Sequence, residues 1–148
     1  MVRLLPTGAP DPSFSGGVVA FDATTLYDTG NAVALQSDGK IVVAGVVSSG
    51  GNDSHGLVVR FNADGSPDLG FGTGGHVQLD LNAAGAPKFT ALNAVAVQPD
   101  GGIVVAGRTE DGVTTTNIDA VVARLAPTGA LDSSFPFQKL CDKRLVFL

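Results

Sequence analysis

The stretch NAVALQSDGKIVVAG at 31–45 returns as NAVAVQPDGGIVVAG at 93–107, identical at 12 of 15 positions. A chain that writes one such stretch twice builds one local structure twice, so a repeat architecture is the first inference. Within the stretch, apolar residues do not recur every three or four positions. They form two short runs around the polar centre Ser37-Asp38-Gly39-Lys40, the pattern of a β-hairpin. Asp-Gly at 38–39 and again at 100–101 tolerates the positive φ of a two-residue type I′ turn. Such a turn predicts Leu35 opposite Val42 and Val33 opposite Ala44 on one face, with Ala34 opposite Val43 and Ala32 opposite Gly45 on the other. Both faces are apolar, and each hairpin is therefore expected to be covered on both sides.

The flanks repeat in the same order. GGVVAFDA at 16–23 and GGHVQLDL at 74–81 open with Gly-Gly and then alternate, which marks them as candidate first strands. After each hairpin come a polar, variable loop (SSGGNDSH at 48–55, EDGVTTTN at 110–117) and a candidate fourth strand, GLVVRFN at 56–62 or DAVVARLA at 119–126. The joints between units align without gaps as VRLLPTGAPDPSF, VRFNADGSPDLGF and ARLAPTGALDSSF. Arg3, Asp11 and Phe14 thus match Arg60, Asp68 and Phe71, and also Arg124, Asp132 and Phe135. A turn at Thr-Gly or Asp-Gly brings each Asp back toward its Arg, predicting an ion pair and an apolar peg between successive sheets. The expected division is 1–15, the end of a preceding unit; 16–72 and 73–135, two repeat units; and 136–148, a tail that fits no repeat.

RFNADGSPDLGFG at 60–72, together with NAVAVQPDGGIVVAG, resembles the delta-60 repeat of long bacterial proteins. The likeness covers about residues 2–135 and implies a β-propeller-like array of four-stranded blades, in proteins often exported or held at the cell surface. It brings no catalytic residue set. The chain opens in the last strand of a unit, and after Phe135 the expected Gly-x-Gly-Gly gives way to PFQKLCDKRLVFL, so the expectation is a fragment of an array with a foreign end. The fold class read from these features is all-β, with two four-stranded antiparallel repeat units in an incomplete array.

Composition narrows the function classes. Charged residues are only 16% while glycine reaches 20 of 148, which suits short strands and tight turns. A net charge of −5 with no Lys/Arg cluster argues against nucleic acid or an anionic membrane surface as partner. MVRLLPTGAP contains no long apolar stretch and IVVAGVV is too short to span a bilayer, so neither a signal peptide nor a membrane span is expected. The single cysteine, Cys141, leaves no internal disulfide and no clue to redox compartment.

Several motifs imitate chemistry. Gly70-Phe71-Gly72-Thr73-Gly74-Gly75 fits G-x-G-x-x-G, but a strand-like HVQLDL follows it where a phosphate site needs a helix N-terminus. Asn62, Asp64, Ser66 and Asp68 begin like a calcium loop, yet the other joints replace this turn with Pro6-Thr7-Gly8 and Pro127-Thr128-Gly129. A β-turn is the expectation there. His55 and His76 stand in unlike contexts without metal-ligand spacing, and no Gly-x-Ser-x-Gly elbow is present. The expected site list is empty: no catalytic, cofactor-binding or metal residues, and no cofactor. The favoured function is a non-enzymatic structural or protein-interaction module whose loops present the contact surface, with a protein partner or self-association. The alternatives are carbohydrate binding, weakened by the absence of Trp and the lone Tyr27, and a hydrolase whose carboxylates, such as Asp22, Asp80, Asp111 and Asp119, converge only in the full array. In the tail, Leu145, Val146, Phe147 and Leu148 are expected to add as an edge strand or to cover an exposed sheet face.

Overall fold

The computed structural model describes residues 1–50, 53–81, 89–110, 118–135, 138–141 and 144–147. These form β1 (Asp28–Leu35), β2 (Ile41–Gly50), β3 (Asp53–Phe61), β4 (His76–Leu79), β5 (Phe89–Val97), β6 (Ile103–Glu110), β7 (Ile118–Leu125), β8 (Gln138–Cys141) and β9 (Arg144–Phe147). The fold is all-β; among the described residues the helical content is one 3-10 turn, Ser15–Gly17. β1 to β4 form one antiparallel sheet and β5 to β9 another. Among the described residues a single parallel bridge, Ser54 to Phe89, joins the two.

The hairpins form where the repeated stretch lies, with a register one residue away from the expected one. Leu35 pairs with Ile41, Ala34 with Val42 and Val33 with Val43. The turn has three residues, not two. Gly39 N–H donates to Gln36 C=O, Gln36 N–H donates to Lys40 C=O, and Gly39 sits at φ +83°. This is a tight turn followed by a glycine bulge, closed by Lys40 N–H donating to the Asp38 carboxylate. Gln98, Asp100, Gly101 and Gly102 repeat every part of it. Because side-chain direction alternates along a strand, the extra residue changes which residues share a face.

A second bulge lies at the start of each repeated stretch, where Asn31 and Asn93 drop out of the ladder. Opposite it stand Gly45 and Gly107. A Cβ on either would fall 1.8 or 2.0 Å from the carbonyl oxygen of Thr29 or Ala91, so no side chain fits.

The sheets are out of phase with the sequence repeat. The candidate first strand at 74–81 contributes β4, which pairs with β3 of the sheet before it. Its counterpart at 16–23 makes a bridge from Val18 to Val2, the strand of the first joint. The polar stretch at 48–55 is mainly strand rather than loop: Ser48 pairs with Ser54 and both are buried. The tail, which matches no repeat in sequence, takes the β4 place in the second sheet. Ala120 pairs with Leu140 as Gly56 pairs with Leu79, and β9 then extends that edge.

Alternation along the strands creates two core layers. The face carrying Val42, Ala44 and Val58 packs against Leu92, Ile103, Val105, Val121, Ala123 and Leu125 of the second sheet. The opposite face of the first sheet, with Ile41, Val47, Leu57, Val59 and Phe61, packs against Phe14 and Val19 from the N-terminal segment. That segment therefore occupies the place of part of a preceding sheet.

Candidate functional site: the joints and the open sheet faces

All three joints are built alike. Gly8, Gly65 and Gly129 take positive φ and donate back to Leu5, Asn62 and Ala126. The N–H groups of Asp11, Asp68 and Asp132 then donate to the carbonyls of Arg3, Arg60 and Arg124. This returns each carboxylate to its guanidinium: Arg3 Nε to Asp11 at 2.9 Å, Arg60 Nε to Asp68 at 2.7 Å, and Arg124 to Asp132. Each Arg–Asp pairing expected from the alignment is present.

The carboxyl groups are held below their ordinary range by these surroundings. For Asp11 and Asp132 the main cause is the hydroxyl of Ser13 or Ser134, with the facing arginine adding to it. For Asp68 the main cause is the Lys40 ammonium, 3.0 Å away, supported by Gly70 N–H and Arg60. Lys40 is one of the three positions where the repeated stretches differ, so alignment of the repeat hides its role.

Two of the three arginines also reach forward. Arg3 Nη1 donates to the carbonyl of Ala63 in the second joint at 2.7 Å, and Arg60 Nη1 to that of Pro127 in the third at 2.6 Å. The phenylalanines follow the same rule. Phe14 and Phe71 are fully buried beneath their arginines, 4.7 and 4.5 Å from guanidinium to ring centre. Beyond each ring lies the glycine of the next joint, Gly65 or Gly129, where an added Cβ would sit 3.0 or 3.1 Å from the ring. Asn31 makes a third forward contact, its Nδ2 donating to the Leu92 carbonyl at 2.9 Å. Sequence reasoning missed Asn31, although it heads the repeated stretch in both copies.

At the outer end of this ladder the same residue types meet other partners. Arg124 binds Gln98 and Asp100 on its own sheet, and Phe135 is only half-buried. Ala94 and Ala96 are exposed and Val104, Ala106 and Val122 half-buried, whereas their counterparts Val42, Ala44 and Val58 are fully buried. At the inner end Val33 and Leu35 are 62% and 72% exposed, and Val33 lines a groove of about 510 Å³ with Phe21, Gly30, Val43, Leu57 and Val59.

The motifs that imitate chemistry take structural places. Asp64 accepts from both the N–H and the hydroxyl of Ser66, Asn62 Nδ2 donates to Ser66, and Asp68 faces arginine and lysine, so the calcium-like residues close a turn on themselves. The glycine-rich segment 70–75 leads into β4, a strand. His55 lies in β3, and His76 in β4 stacks edge-on against Phe21. Asp22 borders the groove, Asp80 is exposed and Asp119 is buried in β7; Asp111 lies outside the described residues. Among the described residues no three His, Cys, Asp or Glu side chains gather to hold a metal, and no helix is long and apolar enough to cross a membrane.

With this geometry in place, comparison with known families is decisive. Residues 36–71 and 98–135, half of the chain, match the model described as "Domain of unknown function (DUF5122) beta-propeller". The chain belongs to this family. Each DUF5122 segment runs from the glutamine before the hairpin turn, through two strands, to the Phe71 peg or its Phe135 counterpart. The DUF5122 segments thus include the second and third Arg-Asp-Phe joints, and the first lies outside them. No curated protein and no solved structure matches the chain.

Proposed function

We propose that the chain is a non-enzymatic structural and protein-interaction module of the delta-60 type, a section of a propeller-like array. The observation that carries this reading is how the repeated polar side chains are used. Arg3, Arg60 and Asn31 each donate to a backbone carbonyl of the following unit, while Asp11, Asp68 and Asp132 hold the arginines in place. Residues that recur from unit to unit therefore build the frame. Differences in sequence concentrate in the segments after the hairpins, around 48–55 and 109–119, and it is these segments that we assign to distinguishing one partner from another. The family resemblance adds an exported or surface-held setting to this reading.

The test sets the purified chain against the two alternatives. A glycan array and a panel of ester, glycoside, peptide and phosphate substrates should both be silent. Saturable glycan binding would favour a carbohydrate module. Turnover lost on replacing Asp22, Asp80 or Asp119 by Asn would establish a hydrolase.

A further inference from the structure

We propose that the residue closing each hairpin turn, Lys40 in the first copy and Gly102 in the second, decides whether the joint arginine ties its unit to the following one or is kept at home. The proposal rests on reading the joints as a frame, and it names the position that regulates them. The joint arginines use their nitrogens in two ways. Arg3 and Arg60 give Nε to the aspartate of their own joint, at 2.9 and 2.7 Å, and Nη1 to a carbonyl of the next joint, that of Ala63 or Pro127. Arg124 instead gives Nε to the Gln98 side chain at 2.6 Å, Nη1 to Asp132 and Nη2 to Asp100 at 2.5 Å. Its guanidinium lies back across its own hairpin.

Space and charge both trace the difference to the turn-closing residue. A Cβ on Gly102 would lie 2.3 Å from Nη2 and 2.7 Å from Cζ of Arg124, so any side chain at this position must push the guanidinium away. In the first copy Lys40 fills that place, with its ammonium 3.0 Å from Asp68 and 4.0 Å from Asp38. Arg124 alone serves Asp100 and Asp132, whereas Lys40 shares the carboxylates of its unit with Arg60. Two carboxylates hold a guanidinium more firmly than one carboxylate and a neutral carbonyl. The lysine charge therefore frees Arg60 to reach Pro127. Arg3, paired with Asp11, also reaches forward. The first copy even retains the empty acceptor of the other arrangement. Gln36 is the counterpart of Gln98, and its Oε1 is buried without a hydrogen-bond partner, a costly state that a turned-back Arg60 would relieve. Lysine-type joints thus tie neighbouring units together, and glycine-type joints leave that tie unmade.

The test exchanges the two residues in the full chain and follows the arginine Nε–H signals by heteronuclear NMR. Gly72 reports on the joint itself, because its N–H donates to the Thr128 carbonyl across it. In the parent chain Gln36→Met should leave the Arg60 signal in place. Lys40→Gly should turn Arg60 back, so that Gln36→Met then shifts that signal. In the same variant the Gly72 amide should exchange about fivefold faster relative to that of Gly101, which bonds within the second hairpin. Gly102→Lys should release Arg124 from Gln98, so that Gln98→Met, which moves the Arg124 signal of the parent chain, no longer does. The proposal is overturned if Gln36→Met leaves the Arg60 signal unmoved in the Lys40→Gly chain, if Gly72 exchange there is unchanged, or if Gln98→Met still moves the Arg124 signal beside Lys at 102. Any of these results with silent glycan and substrate panels would remove the control by the turn-closing residue and leave the frame reading standing.

Discussion

Replacing Phe71 by alanine probes the contact that joins the two sheets. The ring is fully buried in the layer formed by Val42, Val58, Ile103 and Leu125, its face is covered by the Arg60 guanidinium at 4.5 Å, and beyond it stands Gly129. Large-to-small changes of a buried phenylalanine cost about 3–5 kcal/mol. Two features place Phe71 in the upper half of that range. A glycine has no side chain with which to fill the cavity, and the loss of the ring also removes the cation–π contact of a buried arginine. Against a total stability on the order of 5–15 kcal/mol, the variant should be folded only marginally. Phe135, at the same position of the last joint but half-buried, supplies the internal control, with an expected cost of about 1–2 kcal/mol. The chain has no Trp and one Tyr, so urea unfolding is best followed by far-UV circular dichroism. Repeat units unfold with nearest-neighbour coupling, and the comparison rests on the shift between variants rather than on one absolute value. Equal costs for Phe71→Ala and Phe135→Ala, or a Phe71 cost under about 1 kcal/mol, would refute the peg.

Gly39→Val should destabilise by about 1–3 kcal/mol, because a β-branched residue resists φ +83°, and Gly101→Val should do the same; urea midpoints for both variants decide this. Arg60→Ala should cost about 2–4 kcal/mol, since it removes the Pro127 bond and the cover of Phe71 and leaves Asp68 with Lys40 as its remaining cation, whereas Arg3→Ala, where the arginine side chain is 37% exposed, should cost much less in the same titration. The joint carboxyls Asp11, Asp68 and Asp132 titrate below their ordinary 3.8 in the folded chain, so their stabilisation is complete above that value and is lost as pH falls through the lower folded values. Thermal melts should therefore drop steeply below about pH 4, and Asp68→Asn should flatten that drop. Deleting 136–148 removes β8 and β9 from the second sheet and bares the edge of β7; light scattering should show increased association or aggregation.

Fold class, repeat and joint chemistry were legible in the residues because each is written more than once. A three-fold alignment of Arg, Asp and Phe leaves few explanations other than a shared contact. Register was not legible. Asp-Gly is compatible with both a two-residue turn and a three-residue turn ending in glycine at positive φ, and only the tertiary packing of Val42 and Ala44 selects the second. The phase of the sheets was hidden for a related reason: alternation marks 74–81 as a strand but carries no information about which neighbour it pairs with. The tail illustrates the limit most clearly, since Gln138, Lys139 and Leu140 take the β4 position with little sequence likeness, through backbone pairing that asks little of side chains. Of the open faces, the exposed Val33 and Leu35 look in sequence like any other residues of a buried strand.

The offset between sequence repeat and sheet sets a timetable for synthesis. When Phe61 has left the ribosome, three strands of the first sheet are complete, but the strand that closes its edge belongs to the following repeat. β4 ends eighteen residues later, at Leu79. At elongation rates of about 5–20 residues per second, the nascent sheet waits roughly 1–4 s with β3 unpaired on one side. The second sheet waits in the same way, its β7 edge closed by β8, which begins thirteen residues after Leu125. Growth of the chain and closure of its first sheet are thus offset by part of a repeat, and a ribosome stalled in that interval leaves the β3 edge open for a chaperone to guard.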